Sequence, residues 1–186
     1  MHRKRPDGAR GGISHVWIRS PKYSNLSITL VRNFHHTSRM NRGPTMSNEP
    51  FAKGHCLCGA VSYTVNAKPI RMAQCHCKDC QRASGTGHMS VAFFKKDDVA
   101  IMGKTASYPS TADSGNINTR HFCPTCGSRV YGENSARPGV IGIAVGCLDK
   151  NDWFSAQAVV YTKGRAAWDK TPENVPNFER MPPPPK

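Results

Sequence analysis

After Phe51 the chain reads as short segments of alternating polarity separated by turns. In "AVSYTV" (60–65), Val61, Tyr63 and Val65 fall on one face and Ser62 and Thr64 on the other, the period-two pattern of a half-buried strand. "IRMAQ", "HMSVAFF", "NINTRHF", "SRVYG", "VIGIAVG" and "QAVVYT" predict further strands, rich in β-branched and aromatic residues. Turn-forming runs lie between them, at 66–69, 95–98, 110–115, 133–139 and 149–152. One short helix is predicted, "KDCQRAS", closed by Gly85. The tail "NVPNFERMPPPPK" ends in four consecutive prolines, which continue neither a strand ladder nor a helix. The pattern predicts a small mostly-β domain over about 48–180, with 181–186 as a Pro-rich tail. Trp153, Trp168, Phe93 and Phe94 are read as core or pocket wall.

Charge changes the picture only at one end. The 186 residues carry a formal net charge of +14, which invites a nucleic-acid reading. Residues 1–47, however, hold nine of the Lys and Arg and a single acid, Asp7, leaving 17 basic and 11 acidic residues for 48–186. No basic stripe or aromatic-basic motif marks the folded part, so nucleic-acid binding is not expected there. With 38% hydrophobic residues and a mean hydropathy of −0.54, a modest core is expected, and no apolar run reaches membrane-spanning length.

The leader is rich in Arg and Ser and nearly free of acids, the composition of a mitochondrial transit peptide, and "RNFHHTSRM" resembles the end of fungal presequences. The alternative is that Met46 is the initiator and the residues before it an upstream extension. Either way a disordered leader over 1–47 is expected, with a mitochondrial address if it is real and a cytoplasmic one otherwise. Its longest apolar stretch, "ITLV", is too short for a secretory signal, so the cysteines are expected in a reducing compartment.

Seven of the eight cysteines fall in "HCLC", "CHCKDC" and "CPTC". Pairs spaced C-x-C bridge only with strain, which favours metal ligation over disulfides. On a strand Cys56 and Cys58 would share a face, with Gly59 letting the backbone turn under a metal. Cys123-Pro-Thr-Cys126-Gly127 has knuckle spacing. Together these give four sulfurs, a closed tetrahedral structural site linking segments about 65 residues apart. Cys75, Cys77 and Cys80 offer three thiolates, two from a strand end and one from the first turn of the helix, whose N-terminus would help hold them ionised. Three ligands and one open position is a catalytic arrangement.

A purely structural reading stays open beside this one, with His55, His121 or Cys147 closing the second site. Cys147 is more simply a small buried hydrophobe. His76, between two ligands on a strand, should point to the opposite face, as a surface residue or one behind the ligands. His55 and His88 read as ordinary strand histidines, and His121 shares the face of Cys123. Lys78 and Arg82, beside the open site, could meet an anionic substrate.

"GHCLCGAVSY", "CHCKDCQRASGTG", "FCPTCGS", "GCLD" and "WDKTPENVPNFERMPPP" together resemble the glutathione-dependent formaldehyde-activating enzyme family, which also includes centromere protein V. The resemblance runs from about Gly54 to Pro183. It implies a β-tent, Mss4-like fold with two zinc ions per chain. Cys56, Cys58, Cys123 and Cys126 would be the structural ligands, and Cys75, Cys77 and Cys80 the catalytic ones. Two positions depart from the family pattern: Gln81 followed by Arg82, where members often have Arg first, and Ser155 and Ala158, where many have Pro and His.

The activity implied is a carbon-sulfur lyase condensing glutathione with formaldehyde, or acting on a related thiol adduct, with no general base identifiable. The rival is a non-enzymatic zinc scaffold for a protein or chromatin partner, its basic arm being the leader.

Overall fold

The alternation in "AVSYTV" is realised: Val61, Tyr63 and Val65 are buried while Ser62 and Thr64 are half-exposed. A computed structural model describes residues 49–182. The leader (1–47) and the last prolines of the tail lie outside the described residues.

Three strands, β1 (Ala52–His55), β2 (Ser62–Val65) and β5 (Val99–Met102), form an antiparallel sheet in the order β1-β2-β5. The others are β3 (Arg71–Cys75), β4 (Met89–Lys95), β6 (Ala106–Thr111), β7 (Ile117–Phe122), β8 (Arg129–Asn134), β9 (Val140–Ala144), β10 (Ala158–Val160) and β11 (Asn177–Phe178). They form an eight-stranded sheet in the order β11-β10-β3-β4-β9-β8-β7-β6. β10 runs parallel to β3 and β11, and the remaining pairs are antiparallel. The one α-helix among the described residues, α1 (Lys78–Ser84), coincides with "KDCQRAS" and ends on Gly85 as expected. The mostly-β, two-sheet architecture is that expected of a β-tent, Mss4-like chain. No helix among the described residues is long and apolar enough to cross a membrane.

Four strands escape the pattern reading. β1 ("AKGH") alternates but has no β-branched or aliphatic strand former beyond Ala52, and β5 ("VAIM") has no polar position to mark a period. β6 contains Pro109 and runs into a turn signal; it is the sheet's edge, where proline's missing N–H costs no ladder bond. β11 has only two residues. In the other direction, β10 stops short of "YT" because Tyr161 takes a left-handed backbone (φ 59°).

Period two divides the large sheet into two working faces. Ala92 and Phe94 of β4 and Ile141 and Ile143 of β9 join Val61, Tyr63 and Val65 of the small sheet in one core. Their neighbours Val91, Phe93, Val140 and Gly142 line a cavity, together with Arg71, Ala73 and Cys75 of β3. The register supports this, because Phe93 lies opposite both Arg71 and Gly142. Phe94 is therefore core and Phe93 pocket wall; Trp153 packs on Phe51 and Phe94. Trp168 is 69% exposed and belongs to neither.

This division makes the adjacent phenylalanines a test. Phe94→Ala should cost about 3–5 kcal/mol, read as a large drop in thermal midpoint. Phe93→Ala should cost much less while enlarging the cavity. Equal losses would contradict the two-face assignment.

Candidate metal centres and the adjoining cavity

Two tight turns bring four sulfurs together. β1 ends at His55, and Cys56–Gly59 is a turn rather than a strand, closed by a bond from the Gly59 N–H to the Cys56 carbonyl at 3.0 Å, with Gly59 at φ 77°. The expected shared strand face is therefore corrected: Cys56 is fully buried and Cys58 exposed. The knuckle repeats the device, with the Gly127 N–H on the Cys123 carbonyl at 2.9 Å and Gly127 at φ 73°. A left-handed glycine after the second cysteine lets each turn close without a Cβ clash. Ser128 joins the turns, its Oγ accepting from the Leu57 N–H at 3.1 Å.

The Sγ atoms of Cys56 and Cys58 are 3.6 Å apart, and those of Cys58 and Cys123 3.7 Å. A tetrahedral ion bonded to sulfur at about 2.3 Å requires edges of about 3.8 Å, so this donor set fits a metal. The hydroxyl of Ser128 also pulls the Cys126 thiol down to about 5, favouring the thiolate that a metal needs.

Cys75, Cys77 and Cys80 form a second group, their ligand atoms within 4.8 Å of one another. Cys75 ends β3, Cys77 is the N-cap of α1, and its sulfur accepts from the Cys80 N–H at 3.4 Å. The thiols compete for ionisation: hydrogen bonds from Cys75 and Cys80 lower Cys77, and the same contact with Cys77 raises Cys75. A cation is what would let all three ionise together, so this donor set also fits a metal.

The loop between these ligands is held from behind. His76, placed by sequence reasoning at the surface or behind the ligands, is fully buried. Its Nδ1 lies 3.2 Å from Asp169 Oδ2, and His88 Nδ1 lies 2.9 Å from the same oxygen. His76, His88 and Asp169 form a third group of candidate ligands. Only His88 hydrogen-bonds Asp169, while His76 faces the same carboxylate at close range without a hydrogen bond, and the three side chains pack the ligand loop against the C-terminal segment. Burial lowers His76 despite Asp169, which favours a neutral ring. Gln81, one of the departures from the family pattern, adds a second tie: its Nε2 donates to the carbonyls of His76 (2.7 Å) and Gly164 (2.8 Å). Nothing in "WDK" signals the role of Asp169, because only the fold carries it across 93 residues of chain to His76.

Cys75 and Cys80 open onto the cavity, whose volume is about 160 Å³. Arg71, Arg120, Arg129 and Arg137 line it, with Glu133 as the one acid. Glu133 is already engaged, by Lys96 at 2.7 Å and His121 at 3.0 Å, and Lys96 lowers it first. The cavity is thus electropositive.

The family model of the glutathione-dependent formaldehyde-activating enzyme matches residues 51–164, which contain all seven clustered cysteines. The chain belongs to this family. A solved structure of a Rhodobacter sphaeroides protein is similar at 23% identity over 52% of this chain and 87% of that one, with a TM-score of 0.43. No curated protein matches the chain.

In this member of the glutathione-dependent formaldehyde-activating enzyme family, the two cysteine sets inferred from sequence are each brought together. The inferred anion contacts are not. Lys78 Nζ bonds Gln81 Oε1 at 2.9 Å, and Arg82, 79% exposed, pairs with Asp79 at 3.8 Å; neither lines the cavity. Both sit on α1, which presents them to solvent. Of the arginines that do line it, Arg71, Arg120 and Arg129 lie in strands and Arg137 in the β8–β9 connection, and no spacing in the sequence links the four. The His121 ring stacks on Tyr131, its cross-strand partner, with ring centroids 4.2 Å apart, and a register shift follows it before Cys123. Cys147 belongs to neither group and donates to the Arg129 carbonyl at 3.2 Å. His55 contacts Asp149 at 3.4 Å, and Ala158 is buried in β10 opposite Ala73.

Cys56→Ser or Cys126→Ser should abolish folding, since a structural ion contributes folding free energy directly. Cys80→Ser should leave a folded domain lacking one ion. Circular dichroism with elemental analysis checks both, and equal destabilisation would contradict the division. Asp169→Ala, which removes the hydrogen-bond partner of His88 and the carboxylate facing His76, should cost about 1–3 kcal/mol and make the Cys75–Cys77–Cys80 ion easier to chelate. An unchanged chelation rate would remove Asp169's role at that centre.

Proposed function

We propose that this protein is a zinc-dependent carbon-sulfur lyase acting on an adduct between a small anionic thiol and an aldehyde, with glutathione and formaldehyde as the leading pair. The observation that carries this reading is a three-cysteine centre opening onto an electropositive cavity. Cys56, Cys58, Cys123 and Cys126 would hold a structural zinc, and Cys75, Cys77 and Cys80 a second one. When bound there, zinc supplies a positive charge that favours the ionised form of a nearby thiol and polarises a carbonyl oxygen.

The chain's own residues do the rest. Arg71, exposed on the cavity side of β3, and Arg137, 5.5 Å over the Phe93 ring, offer guanidiniums to a substrate carboxylate. Val91 and Phe93 supply a dry wall beside the thiols. At about 160 Å³ the cavity is smaller than typical ligand sites of about 300–1,000 Å³. It would take the thiol end of a tripeptide and leave the remainder at the mouth.

In the forward direction the thiolate sulfur attacks the aldehyde carbon and forms the C–S bond. The carbonyl π pair moves to oxygen, which takes up the proton lost by the thiol through solvent. The reverse reaction breaks the same bond. Such adducts form quickly unaided, so the contribution is chiefly positioning. The scaffold alternative draws on the basic leader, which lies outside the described residues.

Exchange NMR of glutathione with formaldehyde should show faster interconversion when the zinc-loaded protein is added. Arg71→Met should lower kcat/KM about 10- to 150-fold, the loss of one charge-assisted bond of about 1.5–3 kcal/mol. A wild-type protein with two zinc ions that neither accelerates exchange nor binds glutathione would sink the lyase reading.

A further inference from the structure

Arg129 differs from the other cavity arginines. Arg120 is engaged by Ser110 and by Asp79 at 3.4 Å, and Arg137 lies over the Phe93 ring. Arg129 opens β8 immediately after the knuckle. Its Nε and Nη1 atoms are buried and hydrogen-bond to nothing among the described residues. No carboxylate of the described residues lies within ion-pair distance of it. Gly132 leaves the space it occupies, since a Cβ there would stand 3.1 Å from Nη2.

A buried, uncompensated guanidinium costs several kcal/mol, so a fold retains one only against a negative partner. The Cys75 and Cys80 thiols, two members of the three-cysteine group, line the same cavity wall as Arg129. Three thiolates around a divalent cation leave one net negative charge, and one guanidinium cancels it. Arginine suits the task because it stays protonated in a poorly solvated position.

We propose that Arg129 is the internal counter-charge of the Cys75–Cys77–Cys80 centre, a positioning residue that stabilises three ionised sulfurs beside the cavity. The proposal rests on reading those cysteines as a metal centre. It adds that the centre is completed electrically by the strand residue that follows the knuckle of the four-sulfur group. The knuckle and β8 thus serve both centres: Cys123 and Cys126 as ligands of one, Arg129 as counter-ion of the other.

The test is metal binding rather than turnover. Wild type, Arg129→Met, Arg129→Gln, Arg129→Lys and, as a control on the same cavity, Arg71→Met are loaded with zinc and titrated with a chelator. Cobalt-substituted samples report thiolate-to-metal charge-transfer bands at each centre. Arg129→Met should keep the four-sulfur ion and weaken the three-sulfur one about 10–100-fold, the usual loss when a supporting partner of a metal ligand is removed. Its cobalt charge-transfer band should shift, Arg129→Lys should recover most of the affinity, and Arg71→Met should change neither. If Arg129→Met does not fold, Arg129→Gln, neutral but polar, takes its place against Arg129→Lys. Neutral and charged variants of equal affinity, or an equal loss in Arg71→Met, would overturn the proposal. A wild-type protein that never takes up the second ion would instead remove the metal-centre reading on which it rests.

Discussion

The four-sulfur group formed by Cys56, Cys58, Cys123 and Cys126 is the constraint on which the rest of the architecture depends. Its first pair follows β1 of the three-stranded sheet, and its second pair sits in the β7–β8 connection of the eight-stranded one. It therefore fastens the two sheets at one end of their shared core, across 65 residues of chain. The core itself is small, built mainly from single β-branched and aromatic side chains of each sheet. In a domain of this size a metal held there would add what a limited apolar interior does not supply. Cys56 and Cys123 are completely buried, consistent with a structural rather than a reactive role.

With the sheets fastened, the second face of the large sheet is free for chemistry. Phe94, Ile141 and Ile143 fill the core, while Phe93, Val140 and Gly142 line the cavity beside Cys75 and Cys80. The three-cysteine group lies where β3 passes into α1, a junction with few apolar contacts of its own, and no residue of α1 is buried. Its rigidity comes from polar contacts instead, of His76 with Asp169 and of Gln81 with Gly164. A ligand loop anchored in this way keeps its geometry while one side stays open to a substrate.

Electrostatics separates the two centres further. Around the cavity the one acid, Glu133, is paired with Lys96, so it does little to offset the arginines. An anionic thiol would be drawn to such a cavity, and the same positive field offsets the surplus negative charge of three thiolates.

The sequence by itself determined the mostly-β class, the helix at 78–84 and the division of seven cysteines into four and three. Each of these is written in local spacing: side-chain alternation, a glycine stop, and C-x-C and C-x-x-C intervals that bring sulfurs within reach of one ion. It left His76 open between the surface and a place behind the ligands and put Lys78 and Arg82 beside the open site, because spacing along the chain says little about which way a side chain turns; the structure buries His76 and leaves Lys78 and Arg82 exposed on α1. Only the tertiary structure decided that Asp169 reaches His76 and that Arg71, Arg120, Arg129 and Arg137 converge on one cavity. These residues come from distant strands and a C-terminal segment, and their proximity follows from strand order in the large sheet. Strand order is set by pairing across long separations, which no local pattern of residues records.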